Sequence, residues 1–248
     1  MIGVIGANGV AATNELLRLI EEAITGKGAF RDCHHPEMLV FQATQVPSRS
    51  MFLEGRGPSF IPQYTEIGKM MLNAGCTELC MCCNTAHFAV DELEKAIGLP
   101  FINVIDEALK KAVDSGARRI AVMCSDGCRK AGLYDKSLAR ICSGAEIVYP
   151  DSDFQKLVTK AICNSKNNNR YLPDDADESP VRCLNDVCSH LSGLNADCIV
   201  GGCTDLRAVY PEEKHNFTGK ENIVYVDSLE TLADEIVKRN QYFTESQN

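Results

Sequence analysis

The chain has 248 residues, of which 45% are hydrophobic, and its formal net charge at pH 7 is −9. This length buries a sizeable core, in one large domain or in two small ones. The negative charge argues against nucleic acid and anionic membranes as partners, because both require basic patches, and no apolar run approaches the ~18 residues that span a bilayer.

The predicted elements of the first half begin with a buried strand, IGVIG (residues 2–6), that ends in glycine. The apolar spacing of NELLRLIEEAI (14–24) predicts a helix, with Thr13 as its expected N-cap. The next elements are a strand at MLVFQAT (38–44), a loop at VPSRSMFLEGRGPS (46–59), a helix at YTEIGKMMLNAG (64–75) and a strand at TELCMCC (77–83).

The second half repeats this alternation. Its elements are a helix at VIDEALKKAVDSG (104–116), a strand at RIAVMC (119–124), a helix at GLYDKSLARIC (132–142), a strand at AEIVYP (145–150) and an exposed loop at 164–180. Strands that alternate with helices predict βαβ units and largely parallel sheets.

Three features recur along the chain at a nearly constant offset. IGVIGANG (2–9) resembles IAVMCSDG (120–127), and PFINVIDEALKKAV (100–113) resembles NIVYVDSLETLADEIV (222–237). Cys83 and Cys203 stand 120 positions apart. The constant offset predicts a duplicated α/β unit. We expect residues 1–102 to form one lobe and residues 103–211 the other, with residues 212–248 returning to the first.

The duplication places two cysteines equivalently, each after an apolar strand and before a predicted helix. Ligands of parallel sheets bind beyond the carboxyl ends of the strands, so Cys83 and Cys203 are expected to approach one cleft from opposite sides. Two acid/base groups on opposite faces of a carbon are what an inversion of configuration requires. A helix N-terminus lowers the pKa of a thiol, and the N–H groups of Asn84, Thr85 and Thr204 offer a carboxylate site.

The motifs CNTAH (83–87) and GCTD (202–205), with the opening IGVIGANG, resemble the aspartate/glutamate racemase superfamily, nearest its aspartate racemase branch. The resemblance implies two pseudosymmetric α/β lobes, each a mostly parallel sheet flanked by helices, with the active site in the cleft between them. It implies PLP-independent catalysis without cofactor or metal, by Cys83 and Cys203 as the acid/base pair. Arg49 matches the arginine on the substrate's distal carboxylate, and Lys166 a corresponding lysine. A homodimer is also suggested by the resemblance.

Three departures from the branch line the presumed cleft and concern the substrate more than the fold. Asp205 stands where glutamate is usual, ANGV (7–10) replaces GMGP, and CSDGC (124–128) replaces ATxGT.

Several further residues allow two interpretations. His87 either orients or polarises the thiol of Cys83, or is a structurally satisfied histidine. Asn8 and Ser125 are either cleft residues or turn formers. Cys76, Cys80 and Cys82 are expected in the core, because free cysteine is usually buried. Cys33, His34 and His35 are expected on a surface loop, and no metal site is predicted.

The function that we expect is a cofactor-independent racemase of an acidic amino acid, aspartate before glutamate. Two cysteines disfavour a decarboxylase, which needs a single proton donor. An isomerase of a dicarboxylate such as maleate stays open, as does a non-catalytic two-lobed ligand-binding or redox-sensing protein. The first residues lack a basic segment that would indicate a secretory signal, so a cytoplasmic location is expected, where the 13 cysteines stay reduced.

Overall fold

The two halves of the chain form two parallel sheets with the same strand order. A computed structural model describes residues 1–211 and 223–242. The strands of the first sheet are β1 (Ile2–Gly6), β2 (Met38–Gln42), β3 (Glu78–Met81) and β4 (Phe101–Ile102). Those of the second are β5 (Arg119–Met123), β6 (Glu146–Val148), β7 (Cys198–Gly201) and β8 (Val224–Asp227). The strand orders are β2-β1-β3-β4 and β6-β5-β7-β8, which confirms the predicted two-lobed α/β fold.

Helices connect the strands and cover both faces of each sheet. They are α1 (Val10–Gly26), α2 (Arg49–Leu53), α3 (Ile61–Asn73), α4 (Val90–Ile97), α5 (Val104–Asp114), α6 (Asp126–Lys130), α7 (Leu133–Ile141), α8 (Ser152–Asn164), α9 (Pro180–Gly193) and α10 (Ser228–Lys238). Within the described ranges, no helix combines the length and the apolar character needed to cross a membrane.

The central core lies between the two sheets and joins the lobes. Successive strand residues face opposite sides of a sheet, so Val4 and Val122 point into this core while Ile5 and Met123 point away from it. Helices α1, α5 and α10 fill the space between the sheets with residues such as Leu16. The lobes are therefore held against each other by a shared hydrophobic interior.

Each sheet has a second core on its outer face. Helices α3 and α4 cover the first sheet there, and α8 and α9 cover the second. Each lobe therefore has an outer core of its own.

The described part of the segment predicted to return to the first lobe, residues 223–242, contacts elements of both lobes. Strand β8 pairs with β7 at the edge of the second sheet, as β4 pairs with β3 in the first. Helix α10 packs against α1 of the first lobe and against α5. Residues 212–222 and 243–248 lie outside the described part of the chain. We propose that the lobe boundary falls near residue 103, between β4 and α5.

The repeat is visible in how α5 and α10 begin. Asn103 follows β4 and accepts hydrogen bonds from two N–H groups of α5, at distances of 3.1 and 3.3 Å. Asp227 ends β8 and accepts two from α10, at 2.8 and 3.1 Å. Short Asx side chains satisfy the free N–H groups at a helix start, so the two halves use the same cap.

Two local predictions were wrong. The N-cap of helix α1 is Gly9, four residues before the expected cap, and Thr13 lies buried inside the helix. The hydroxyl of Thr13 instead accepts a hydrogen bond from Ala7 N–H at 2.8 Å, which holds Ala7 at a φ of +57°. The predicted loop at 46–59 contains α2, for which Ser48 is the side-chain cap.

Candidate active site

Cys83 and Cys203 occupy equivalent places in the two lobes. Cys83 lies two residues beyond the end of β3, and Cys203 lies two residues beyond the end of β7. Strand β3 pairs with β1, and β7 pairs in the same way with β5. Both side chains are half-buried. Three other cysteines were predicted for the core and are buried as expected: Cys76, Cys80 and Cys82.

The segments that follow the two thiols differ. A 3-10 turn at Thr85–Ala89 runs from the first loop into α4, whereas Thr204–Leu206 is a single 3-10 turn. The helix expected after Cys203 is therefore wrong for the residues described up to 211. Three residues sum too few peptide dipoles to favour a thiolate. Burial and the carboxylate of Asp205 instead raise the pKa of Cys203 far above its ordinary value, although Lys166 partly opposes this.

Arg49 supplies the positive charge beside Cys83. Helix α2 begins at Arg49, whose Nη2 donates to the carbonyl oxygen of Asn8 at 3.0 Å. Burial works against its charge, yet interactions with Cys83, Tyr64 and Asp205 raise the pKa of Arg49 above its ordinary value. Its Nε is buried and has no hydrogen-bond partner among the described residues. A buried donor without a partner is a position that an anionic ligand satisfies.

The Asn8 side chain is held in place beside this arginine. Its Oδ1 accepts a hydrogen bond from the hydroxyl of Tyr64, and its Nδ2 donates to the carbonyl oxygen of Ile5 at 3.2 Å. Both Asn8 and Tyr64 are buried. Asn8 thus presents its backbone carbonyl to Arg49 while its side chain fixes the turn after β1.

Asp205 supplies the negative charge beside Cys203. Its Oδ2 lies 3.9 Å from the Cys203 sulfur and 2.8 Å from Nζ of Lys166. The Lys166 side chain is 47% exposed, whereas that of Asp205 is 8% exposed. Asp205 also lies against Gly9, because a Cβ built on that glycine would stand 1.7 Å from its Oδ1. The second lobe's carboxylate therefore occupies the space that a side chain would need at the start of α1.

Charged groups of the two lobes interact with one another. Burial opposes the charge of Lys166, but Asp205, Cys203 and Cys83 raise the pKa of this lysine above its ordinary value. In the same way Arg49 of the first lobe interacts with Asp205 of the second. Each cation thus interacts with groups of both lobes.

Two hydroxyl contacts join the loops of the two lobes. The hydroxyls of Thr85 and Ser125 are 2.9 Å apart, and Ser125 also caps α6 by accepting from Cys128 N–H at 3.2 Å. Thr204 donates its hydroxyl to the carbonyl oxygen of Cys82 at 2.8 Å. The hydroxyls of these three predicted binding residues therefore join the two lobes.

The side chains of Asn84 and His87 are bonded to groups other than the thiol of Cys83. The Asn84 side chain is buried and bonded to Tyr134 and Ser228 of the second lobe. His87 Nδ1 lies 2.8 Å from the carbonyl oxygen of Cys83, and its Nε2 accepts from Val104 N–H at 3.3 Å. Burial lowers the pKa of His87, which suits a neutral ring with both nitrogens bonded. The histidine is satisfied by the backbone rather than by the thiol.

Comparison with known protein families identifies the chain. Residues 2–236 match the family described as Asp/Glu/Hydantoin racemase. The chain belongs to this family. The predicted relation to the aspartate/glutamate racemase superfamily is confirmed, and the protein is a PLP-independent isomerase of the racemase type.

Relatives of this racemase differ in the substrates that they are named for. It is 23% identical over 212 residues to the broad specificity amino-acid racemase RacX of Bacillus subtilis (strain 168), covering 84% of this chain and 87% of that one. The structure of Picrophilus torridus aspartate racemase superposes with a TM-score of 0.73 at 22% identity, covering 96% of this chain and 92% of that chain. Glutamate racemase of Francisella tularensis, in complex with D-glutamate, gives 0.61 at 14% identity, covering 98% and 82%.

Sequence reasoning missed several residues on which the site of this racemase depends. Tyr64 and Tyr134 bond Asn8 and Asn84 from positions far along the chain, and neither stands in a cysteine motif. Gly9 could have been noticed, since it is the glycine that ANGV shares with the usual GMGP. The reason for a glycine at this position is the close approach of a carboxylate from the other lobe, which is visible only in the folded protein.

Proposed function

We propose that this racemase inverts the α-carbon of an acidic amino acid, aspartate in preference to glutamate, with Cys83 and Cys203 as its two acid/base groups. The observation that supports the proposal is that the two thiols lie in equivalent loops of the two lobes, and that the hydroxyl of Thr204, next to Cys203, donates to the carbonyl oxygen of Cys82, next to Cys83, at 2.8 Å. A cytoplasmic location and a homodimer stay predictions from the sequence.

The surroundings of Cys203 suggest that this thiol is protonated before reaction. Burial and Asp205 favour the neutral thiol at Cys203, so this group is suited to donate a proton. Cys83, which faces the guanidinium of Arg49, is then the base that removes the α-proton from the opposite face. In one turnover the α-proton goes to the sulfur of Cys83, while the sulfur of Cys203 gives its own proton to the opposite face of the carbanion. The reverse direction exchanges these roles.

Arg49 and the backbone N–H groups after Cys83 offer separate places for the two substrate carboxylates. Arg49 has a free buried Nε, which is suited to the distal carboxylate, because hydrogen bonds between charged groups are the stronger ones. The N–H groups of Asn84 and Thr85 precede the first bond of the 3-10 turn, which runs from Ala86 N–H to Cys83 C=O. They are suited to the α-carboxylate, where a bound negative charge favours formation of the carbanion.

Lys166 bears on how strict the substrate choice is. Its charge is matched by Asp205 at 2.8 Å, so it is a weaker anchor for a distal carboxylate than an unpaired lysine. Arg49 then carries most of the preference for acidic side chains. The named breadth of the Bacillus subtilis relative gives a reason to include neutral and basic amino acids among the candidate substrates.

The test is exchange of the α-proton in D₂O with both enantiomers of aspartate, glutamate, alanine and lysine, followed by NMR together with the enantiomer ratio. We expect deuterium at Cα and racemisation, fastest with aspartate. Exchange that is fastest with lysine would contradict the acidic substrate. Conversion of maleate without any α-proton exchange would favour the isomerase, and tight binding without turnover would favour the sensor.

A further inference from the structure

A buried polar network crosses from one lobe to the other directly behind the two thiols. The hydroxyl of Tyr134 donates to Oδ1 of Asn84 at 2.9 Å. Nδ2 of Asn84 donates to the hydroxyl of Ser228 at 3.1 Å, and that hydroxyl donates to the carbonyl oxygen of Gly201 at 2.7 Å. Asn84 is the residue after Cys83, and Gly201 ends the strand that leads to Cys203.

The network admits a single arrangement of its members. Tyr134 and Ser228 are fully buried and Asn84 is 2% exposed, so water does not replace a lost partner easily. Both ends of the Asn84 amide are used, one as acceptor and one as donor, which fixes its orientation. Breaking any one bond leaves a buried polar group unsatisfied, so the members move together or not at all.

The Tyr134 hydroxyl also touches the second cysteine loop. A Cβ built on Gly202 would stand 2.9 Å from this oxygen, so the glycine allows the hydroxyl to lie against the backbone just before Cys203. The same oxygen therefore contacts the neighbours of both thiols, Asn84 on one side and Gly202 on the other. Tyr134 itself comes from α7, outside both cysteine motifs.

We propose that Tyr134 is a positioning residue that, through Asn84 and Ser228, sets the placement of the Cys83 loop relative to the Cys203 loop. Its effect on turnover rests on the proposed two-cysteine function, whereas its effect on the placement of Cys83 does not. The side chain of Asn84 then serves the geometry of the thiols rather than contact with substrate.

The experiment compares Tyr134→Phe with the wild-type protein by alkylation with iodoacetamide, read at each cysteine by mass spectrometry. The exposed thiols of Cys33 and Cys163 are internal references. Losing one net hydrogen bond that keeps the loop in place should raise alkylation of Cys83 by roughly two- to tenfold. Where racemisation is measurable, kcat should fall by roughly ten- to a hundredfold, with KM changed much less.

Tyr210→Phe is the matched control. The hydroxyl of Tyr210 donates to Oδ1 of Asn185 at 2.5 Å. The variant therefore loses the same kind of hydrogen bond as Tyr134→Phe, but between two positions of the second lobe. This variant should leave alkylation of Cys83 unchanged. An equal rise in both variants would overturn the proposal, because a general loss of stability would then explain it.

A second variant guards against misfolding. Ser228→Ala removes the other partner of Asn84 and should raise alkylation of Cys83 in the same way. Circular dichroism establishes which variants fold. Wild-type alkylation of Cys83 in folded Tyr134→Phe, or in folded Ser228→Ala, overturns the proposal. If the wild-type protein lacks racemase activity, the alkylation result still decides the positioning role, so the two failures are distinguishable.

Discussion

Replacing Gly9 by alanine tests the contact between the start of α1 and the carboxylate of the second lobe. The backbone of Gly9 is extended, with φ at −168°, so alanine meets no conformational barrier there. The added Cβ would stand 1.7 Å from Oδ1 and 2.7 Å from Cγ of Asp205. Non-bonded carbon and oxygen atoms do not approach much below about 3 Å, so the carboxylate must move by more than about 1 Å.

The size of the effect follows from what Asp205 holds. A movement of that size breaks its 2.8 Å contact with Lys166 and its 3.9 Å contact with Cys203. Misplacing a catalytic group by about 1 Å costs on the order of a hundredfold in rate. Overpacking itself costs about 1–3 kcal/mol in the free energy of unfolding. We therefore expect Gly9→Ala to lose much more activity than stability.

The assay is kcat/KM for racemisation, together with denaturant unfolding of each variant. Gly26→Ala is the control, because it lies at the other end of the same helix and its added Cβ meets nothing within 4 Å. A double variant with Asp205→Ala removes the clash, so Gly9→Ala should cost nothing further there. Full activity of the single variant, or an undiminished loss in the double variant, would refute the steric reasoning.

Three further predictions concern charge. Arg49→Ala should weaken binding of dicarboxylic amino acids by about 1.5–3 kcal/mol, measured as Kd, and binding of alanine far less; equal losses would place Arg49 away from the distal carboxylate. Lys166→Ala removes a cation that lowers the pKa of Cys203, so the pH profile of Cys203 alkylation should move to higher pH, and a move to lower pH would contradict this. Burial raises the pKa of Asp227 from 3.8 to about 6, so the folded protein binds a proton at this carboxylate more tightly than the unfolded chain does. The protonated carboxyl therefore contributes stability at low pH, and this contribution is lost as the pH rises through 6. Asp227→Asn keeps a side-chain acceptor at this cap, like the one that Asn103 provides for α5. The free energy of unfolding of this variant, relative to wild type, should therefore be higher at about pH 7 than at about pH 4. A difference that does not change with pH would contradict the shifted pKa.

Features that depend on local sequence were predictable. The strands β1 and β5 are short apolar runs with β-branched residues, and the predicted bounds of both agree with the structure within two residues. The repeat gave the two sheets and the equivalence of Cys83 and Cys203, because strand order and loop position follow from a duplicated chain. The helix start at Gly9 was missed because a threonine four residues later is a stronger cap by residue type alone.

Features that depend on contacts between distant segments were not predictable from one sequence. Asn84 meets Ser228 across 144 positions, and no periodicity or spacing links the two. The raised pKa of Cys203 depends on burial and on the carboxylate of Asp205, both set by packing. The sequence rule that a cysteine before a helix is acidic failed at Cys203 because the expected helix is one short turn.

The central claim is that Cys83 and Cys203 act on opposite faces of one α-carbon. The most direct measurement is solvent exchange of the α-proton in Cys83→Ser and Cys203→Ser, with each enantiomer of the substrate supplied separately. Serine has a far less acidic hydroxyl, so both variants should lose racemisation. The remaining cysteine still reaches one face, and each variant should therefore exchange the α-proton of one enantiomer, the opposite one in each case. Near-normal racemisation in either variant, or exchange of the same enantiomer by both, would contradict the two-cysteine mechanism.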